Sequence, residues 1–92
     1  MSVTNADIQK ALRIKKTVKD FFEKSTETKI QAKELMPSFI SNGIFTKDNQ
    51  DGYPIRNFLR HLDENKSLHL IPQAHFEQKA QNKNWYFIKT NG

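Results

Sequence analysis

The stretch that decides the fold is Ala74-His75-Phe76-Glu77-Gln78-Lys79-Ala80-Gln81-Asn82-Lys83-Asn84-Trp85-Tyr86-Phe87-Ile88-Lys89. Its two ends alternate or cluster β-prone residues, while Lys79 to Asn84 is polar and turn-prone. Two such runs around such a tract predict a β-hairpin, placed at about 73–89. Several loop lengths fit, so the register stays open. Either Trp85 and Phe87 or Tyr86 and Ile88 face the core.

Upstream of the hairpin the period is helical. Thr4-Asn5-Ala6-Asp7 is a capping-box pattern that opens a first helix at about 5–24, free of Gly and Pro. Ile14, Val18, Phe21 and Phe22 group on one side of it, as a core stripe does. Ile8 and Leu12 lie around the helix from that group, above Lys15 and Lys19. They form a candidate protein interface, or else pack on the connector near Leu68, Leu70 and Ile71. Lys29-Ile30 suits one short strand. A second helix follows at about 31–41, which Pro37 either kinks or divides. Asn42-Gly43 ends it with a residue suited to a left-handed cap. After a polar loop, Tyr53-Pro54 opens a third helix at about 54–65, with Ile55, Phe58, Leu59 and Leu62 on one face.

Composition narrows the function. Ninety-two residues suit a single α+β domain with a modest core, so a large pocket for a small-molecule substrate is not expected. The absence of Cys excludes disulfides, thiolate metal sites and a Cys nucleophile. His61, His69 and His75 lack the i, i+4 spacing of a helical metal pair. The Asp48-to-Gly52 loop is not a calcium loop, because Lys47 stands where the first acid belongs. No Gly-rich phosphate loop, nucleophile elbow or acid–base pair occurs, so neither an enzyme nor a cofactor is expected. The opening residues lack a secretory leader and no apolar run could span a membrane, which predicts a cytoplasmic protein without a membrane partner.

Fifteen Lys and Arg against ten Asp and Glu give a net charge of +5 and invite a polyanion. The surplus sits in the first helix and in the tail after Glu64. Residues 25–64 carry five basic side chains against six acidic ones. Trp85, Tyr86 and Phe87 could stack unpaired bases, but a chain this short needs aromatics in its core.

Three helices, a short strand after the first and a terminal hairpin form an order that resembles the winged-helix family of helix-turn-helix domains. The residues that carry the likeness are Ile30-Gln31-Ala32-Lys33-Glu34-Leu35 before the second helix, the helix from Pro54 to Leu62, and the hairpin around Lys79 to Asn84. The connection from Ser41 to Gly52 is longer than the family's tight turn, and Pro37 interrupts the second helix. The resemblance implies a three-helix winged-helix domain with a small sheet and a C-terminal wing. It implies double-stranded DNA as partner and a transcription-regulator-like role. By position, Arg56, Asn57, Arg60 and His61 would face the bases; Arg suits guanine and Asn suits adenine. Lys79, Gln81, Asn82 and Lys83 would be the wing's contacts, and Lys33 would reach phosphate. The competing expectation is a protein-interaction or homodimerising adaptor that uses Ile8 and Leu12 and binds no nucleic acid.

Overall fold

The computed structural model describes residues 3–90; the reading of the opening residues rests in part on Met1 and Ser2, which lie outside them. Helix α1 spans Asn5–Lys24 and starts on the expected capping box. Thr4 Oγ1 accepts from the Asp7 backbone N–H and Asp7 Oδ2 accepts from the Thr4 N–H, each at 3.1 Å. Two of the helix's orphan N-terminal donors are thereby satisfied. The buried stripe is Ala11, Ile14, Val18 and Phe22. Phe21 is only half-buried at the rim, against Phe22.

Strand β1 covers Lys29–Gln31, one residue longer than expected. Pro37 divides the second helical segment and does not kink it. Ala32–Leu35 forms a 3-10 turn and α2 takes Met36–Ser41 with Pro37 in its first turn, where a missing N–H costs nothing. Gly43, at φ +73°, turns the chain out of α2. Ile44 N–H then donates to the Phe39 carbonyl at 2.8 Å; Ile44 is buried and Phe45 half-buried.

Helix α3 spans Tyr53–Glu64. Its period of 3.6 buries Ile55, Phe58, Leu59 and Leu62 and leaves the positions between them outside. A 3-10 turn at Leu68–Leu70 anchors the connector, with Ile71 fully buried. The hairpin comes last, as β2 (Ala74–Gln78) and β3 (Lys83–Ile88). The two strands pair antiparallel, with Ala74 opposite Phe87 and Phe76 opposite Trp85. This settles the open register: Trp85 and Phe87 are buried, while Tyr86 and Ile88 stand half-buried on the other face. Phe87 packs edge-on to Phe39 at 6.2 Å, which ties the sheet to α2.

The fold is thus α+β. Three α-helices cover a three-stranded antiparallel sheet in the order β1-β3-β2, described over residues 3–90. Because β1 pairs with β3, the last strand is central and β1 and β2 are edges. Among the described residues one polar side chain is buried with the core, Gln73. Its Nε2 donates to the Lys15 carbonyl at 3.2 Å, and its Oε1 has no donor among the described residues.

Candidate nucleic-acid interface

Burial of one side of α3 fixes what the other side offers. Arg56, Asn57 and Arg60 project outward, with Tyr53 a turn before them and Glu64 a turn after. The β2–β3 turn stands across from this face. Between the two lies a cleft of about 300 Å³. Its helix wall is Tyr53, Arg56, Asn57, Arg60 and Glu64; its hairpin wall is Gln78, Gln81, Asn82, Lys83 and an edge of Trp85. A second groove adjoins it across the shared residues Arg56, Asn82 and Lys83 and reaches Lys33, Asp51 and Lys79. Eight of the nine residues expected to meet nucleic acid therefore line one of two adjoining grooves: Arg56, Asn57, Arg60, Gln81, Asn82 and Lys83 in the first, Lys33 and Lys79 in the second.

His61 is the exception. Its Nε2 lies 3.0 Å from Asp7 Oδ2, in the capping box of α1. A carboxylate only accepts, so Nε2 carries the proton. Asn65 holds the ring from its other side, with Nδ2 3.4 Å from Nδ1 and 2.8 Å from the His61 carbonyl. The angular step from Arg60 to His61 turns this side chain toward α1 and away from the cleft. His61 braces two helices instead of facing a ligand. It also holds the Asp7 carboxyl below its ordinary value, through the hydrogen bond first, helped by the Thr4 N–H.

Most cations of the interface have an internal partner. Lys83 Nζ is 2.9 Å from Asp63 Oδ2, with both side chains 29% exposed, and it also lies over the Phe76 ring at 4.4 Å. Lys33 Nζ is 2.9 Å from Asp51 Oδ2, and this lysine holds the Asp51 carboxyl below its ordinary value. Arg56 Nη2 donates to the Gln50 carbonyl at 2.6 Å. Arg60 Nη2 donates to Asn57 Oδ1 at 2.7 Å. Lys79 is exposed at the tip of the turn and makes no ion pair with a described residue. The turn itself is closed by the Lys79 N–H donating to the Asn82 carbonyl at 2.7 Å, with Gln78 Nε2 reaching Lys79 O at 3.0 Å. Arginine and lysine with exposed amides can pair with phosphate oxygens or base edges, and the helix width suits a major groove about 12 Å wide.

Sequence reasoning missed Tyr53 and Trp85 as cleft walls. Tyr53 stands four residues before Asn57 and shares its helix face, a signal the helical period carries. Trp85 required the hairpin register. Asp51 and Asp63 gave no signal as ion-pair partners, because they lie 18 and 20 residues from the lysines they hold. Away from the cleft, Leu12 is 43% exposed and Ile8 is half-buried outside the core cluster. Among the described residues no group of three His, Asp or Glu side chains could hold a metal ion, and no helix is long and apolar enough to cross a membrane. Neither a protein-family model nor any curated protein or solved structure matches the chain.

Proposed function

We propose that this chain is a winged-helix-like domain that binds double-stranded DNA, with α3 in the major groove and the β2–β3 turn on the backbone. One observation carries the reading: Arg56, Asn57 and Arg60 from α3 and Gln81, Asn82 and Lys83 from the hairpin meet at one open cleft. Those residues come from elements separated by more than one turn of chain, yet they present donors and positive charge together. The element order supports the same reading. A helix, a strand, two helices and a hairpin, with the first strand paired to the last, is the arrangement that would set a helix and a wing side by side.

The test is fluorescence anisotropy of a labelled random-sequence duplex, first at low and then at moderate salt. Micromolar binding that weakens steeply with salt is expected, because each phosphate neutralised releases counterions. A single-stranded probe of equal length should bind more weakly. Absence of duplex binding even at low salt would overturn the proposal.

The exposure of Leu12 favours a second reading, in which α1 pairs with a second copy or another protein. Replacing Ile8 and Leu12 together by Ser separates the cases. Dissociation of an oligomer with the fold intact supports an interface. A lower Tm with no change in mass means that these side chains only pack on their own chain.

A further inference from the structure

We infer that Asp51 keeps the place of a DNA phosphate in the groove beside the α3–hairpin cleft, and that duplex binding displaces its carboxylate from Lys33. The inference rests on the duplex-binding reading and gives that site an internal competitor.

Four cations surround this groove. Lys33 reaches it from the 3-10 turn, Arg56 from α3, and Lys79 and Lys83 from the hairpin. Asp51 is the one acid among its described lining residues. Asp51 Oδ2 lies 2.9 Å from Lys33 Nζ, a distance at which an ammonium also meets a phosphate oxygen. Lys33 chiefly, with the charge of Arg56 adding to it, holds this carboxyl below its ordinary value. At neutral pH an anionic oxygen therefore already sits among the cations that a phosphate would meet.

The loop backbone delivers that oxygen. Gln50 and Asp51 have positive φ, 49° and 55°, a conformation that Asp and Asn tolerate better than other side chains. Three bonds pin it. Asp48 Oδ1 accepts from the Gly52 N–H at 2.9 Å, the Asn49 carbonyl from the Tyr53 N–H at 3.0 Å, and the Gln50 carbonyl from Arg56 Nη2 at 2.6 Å. Disfavoured backbone of this kind concentrates at ligand clamps and switch regions. The carboxylate itself is 78% exposed, so it leaves by turning its own side chain while the loop stays in place. Asp63 differs. It lines neither groove, and its bond to Lys83 ties α3 to the hairpin between two half-buried side chains. An exposed ion pair contributes little by itself, whereas a phosphate in a duplex brings the field of a polyanion and the release of its counterions. The exchange at Lys33 thus favours the duplex, and Asp51 lowers the affinity that the groove would otherwise have.

The experiment compares duplex affinity, by anisotropy at low and moderate salt, for the full chain and three variants: Asp51→Asn, Glu23→Gln, and Asp51→Asn combined with Lys33→Gln. Asn accepts the same positive φ, so Asp51→Asn removes the charge and keeps the loop, which the Tm checks. It should tighten binding about threefold or more at low salt, with a smaller gain as salt rises. Glu23→Gln makes the same change of net charge at an exposed position of α1, outside both grooves, and should give a clearly smaller gain. Adding Lys33→Gln to Asp51→Asn restores the parent's net charge. It should cancel the gain and flatten the slope of log K against log salt by about 1, because the freed Lys33 takes a phosphate. Equal gains from Asp51→Asn and Glu23→Gln would overturn the inference, since the carboxylate would then act through net charge alone. So would weaker binding by Asp51→Asn, or a slope that does not change when Lys33 is lost; the duplex-binding reading survives each of these results. If neither the parent nor any variant binds a duplex, that reading falls and the inference falls with it.

Discussion

Asp7 Oδ2 accepts from two donors, the Thr4 N–H at 3.1 Å and His61 Nε2 at 3.0 Å, and both stabilise the carboxylate form. Its folded-state pKa therefore lies below the ordinary value. A depressed carboxyl adds stability that is fully present above its unfolded pKa of about 3.9 and is lost as pH falls through the folded value. Removing His61 takes away the largest cause of the shift. His61→Ala should lower stability at neutral pH and make the acid limb shallower, so that the two proteins converge in strong acid. Urea denaturation across pH 2 to 7 (an approximate window set by that linkage) reads this directly. Convergence would fail, and the pairing would be wrong, if the two curves ran parallel to the lowest pH. Gln73 makes a second case at this scale. Its Oε1 is buried without a donor among the described residues, whereas the Lys15 carbonyl that its Nε2 reaches already lies within the helix α1 ladder. Gln73→Met gives up one hydrogen bond of about 1 kcal/mol and relieves an orphaned acceptor that costs about 1–3 kcal/mol. The variant should be as stable as the parent or more so by up to about 2 kcal/mol; a clear loss in urea midpoint would show that the acceptor is satisfied in solution.

The elements differ in how far the sequence announced them. Both long helices were legible, because Ile14, Val18 and Phe22, and likewise Ile55, Leu59 and Leu62, recur at the helical period and end up buried together. The hairpin was legible as a hairpin but not in register. Trp85, Tyr86, Phe87 and Ile88 are all apolar or aromatic, so alternation carried no label for inside and outside; contact with Phe39 chooses Phe87. Residue by residue, the grooves hold what the helical period and the turn propensity had set outward, apart from His61. Its partner Asp7 lies 54 residues away, and no local pattern encodes such a pair. The loop into α3 was equally silent. Gln50, Asp51 and Gly52 all have positive φ, at 49°, 55° and 89°. Gly52 passes so close to the 3-10 turn that a Cβ there would collide with Lys33 Cβ and stand 2.8 Å from Lys33 Cα. Gly52→Ala combines a disfavoured backbone with a clash against main chain, and should cost about 2 kcal/mol or more in urea denaturation. A cost of only a few tenths would mean that the loop and the 3-10 turn do not approach in this way. The hairpin permits a paired comparison. Lys83→Met keeps a stem for Phe76 but leaves Asp63 without its cation, and should cost about 1 kcal/mol, discounted for partial exposure. Lys79→Met should stay within about 0.5 kcal/mol, since no described residue holds that ammonium.

At the scale of the whole molecule, the proposed DNA binding has two basic regions to choose between. The body measures 36 × 32 × 28 Å, about the length of one turn of duplex. Helix α1 holds six of the fifteen basic residues, including the exposed Lys15 and Lys19, yet no α1 side chain lines the α3–hairpin cleft. The cleft side has fewer cations, and Lys33 and Lys83 must leave Asp51 and Asp63 before they can neutralise a phosphate. Charge alone favours α1; the convergence of side chains able to read bases favours the cleft. Salt dependence separates the two, because each phosphate contact contributes about 0.9 to the slope of log K against log salt. Lys79→Glu should flatten that slope by about 1 and weaken binding most at low salt. The double variant Lys15→Glu, Lys19→Glu changes the net charge by twice as much, so a purely long-range effect would make it the weaker binder at low ionic strength. With DNA in the cleft its slope should stay near that of the parent, since lysines that touch no phosphate release no counterions. The opposite result, an unchanged slope for Lys79→Glu and a shallower one for the α1 pair, would place the duplex on α1 and leave the α3 face free for another ligand.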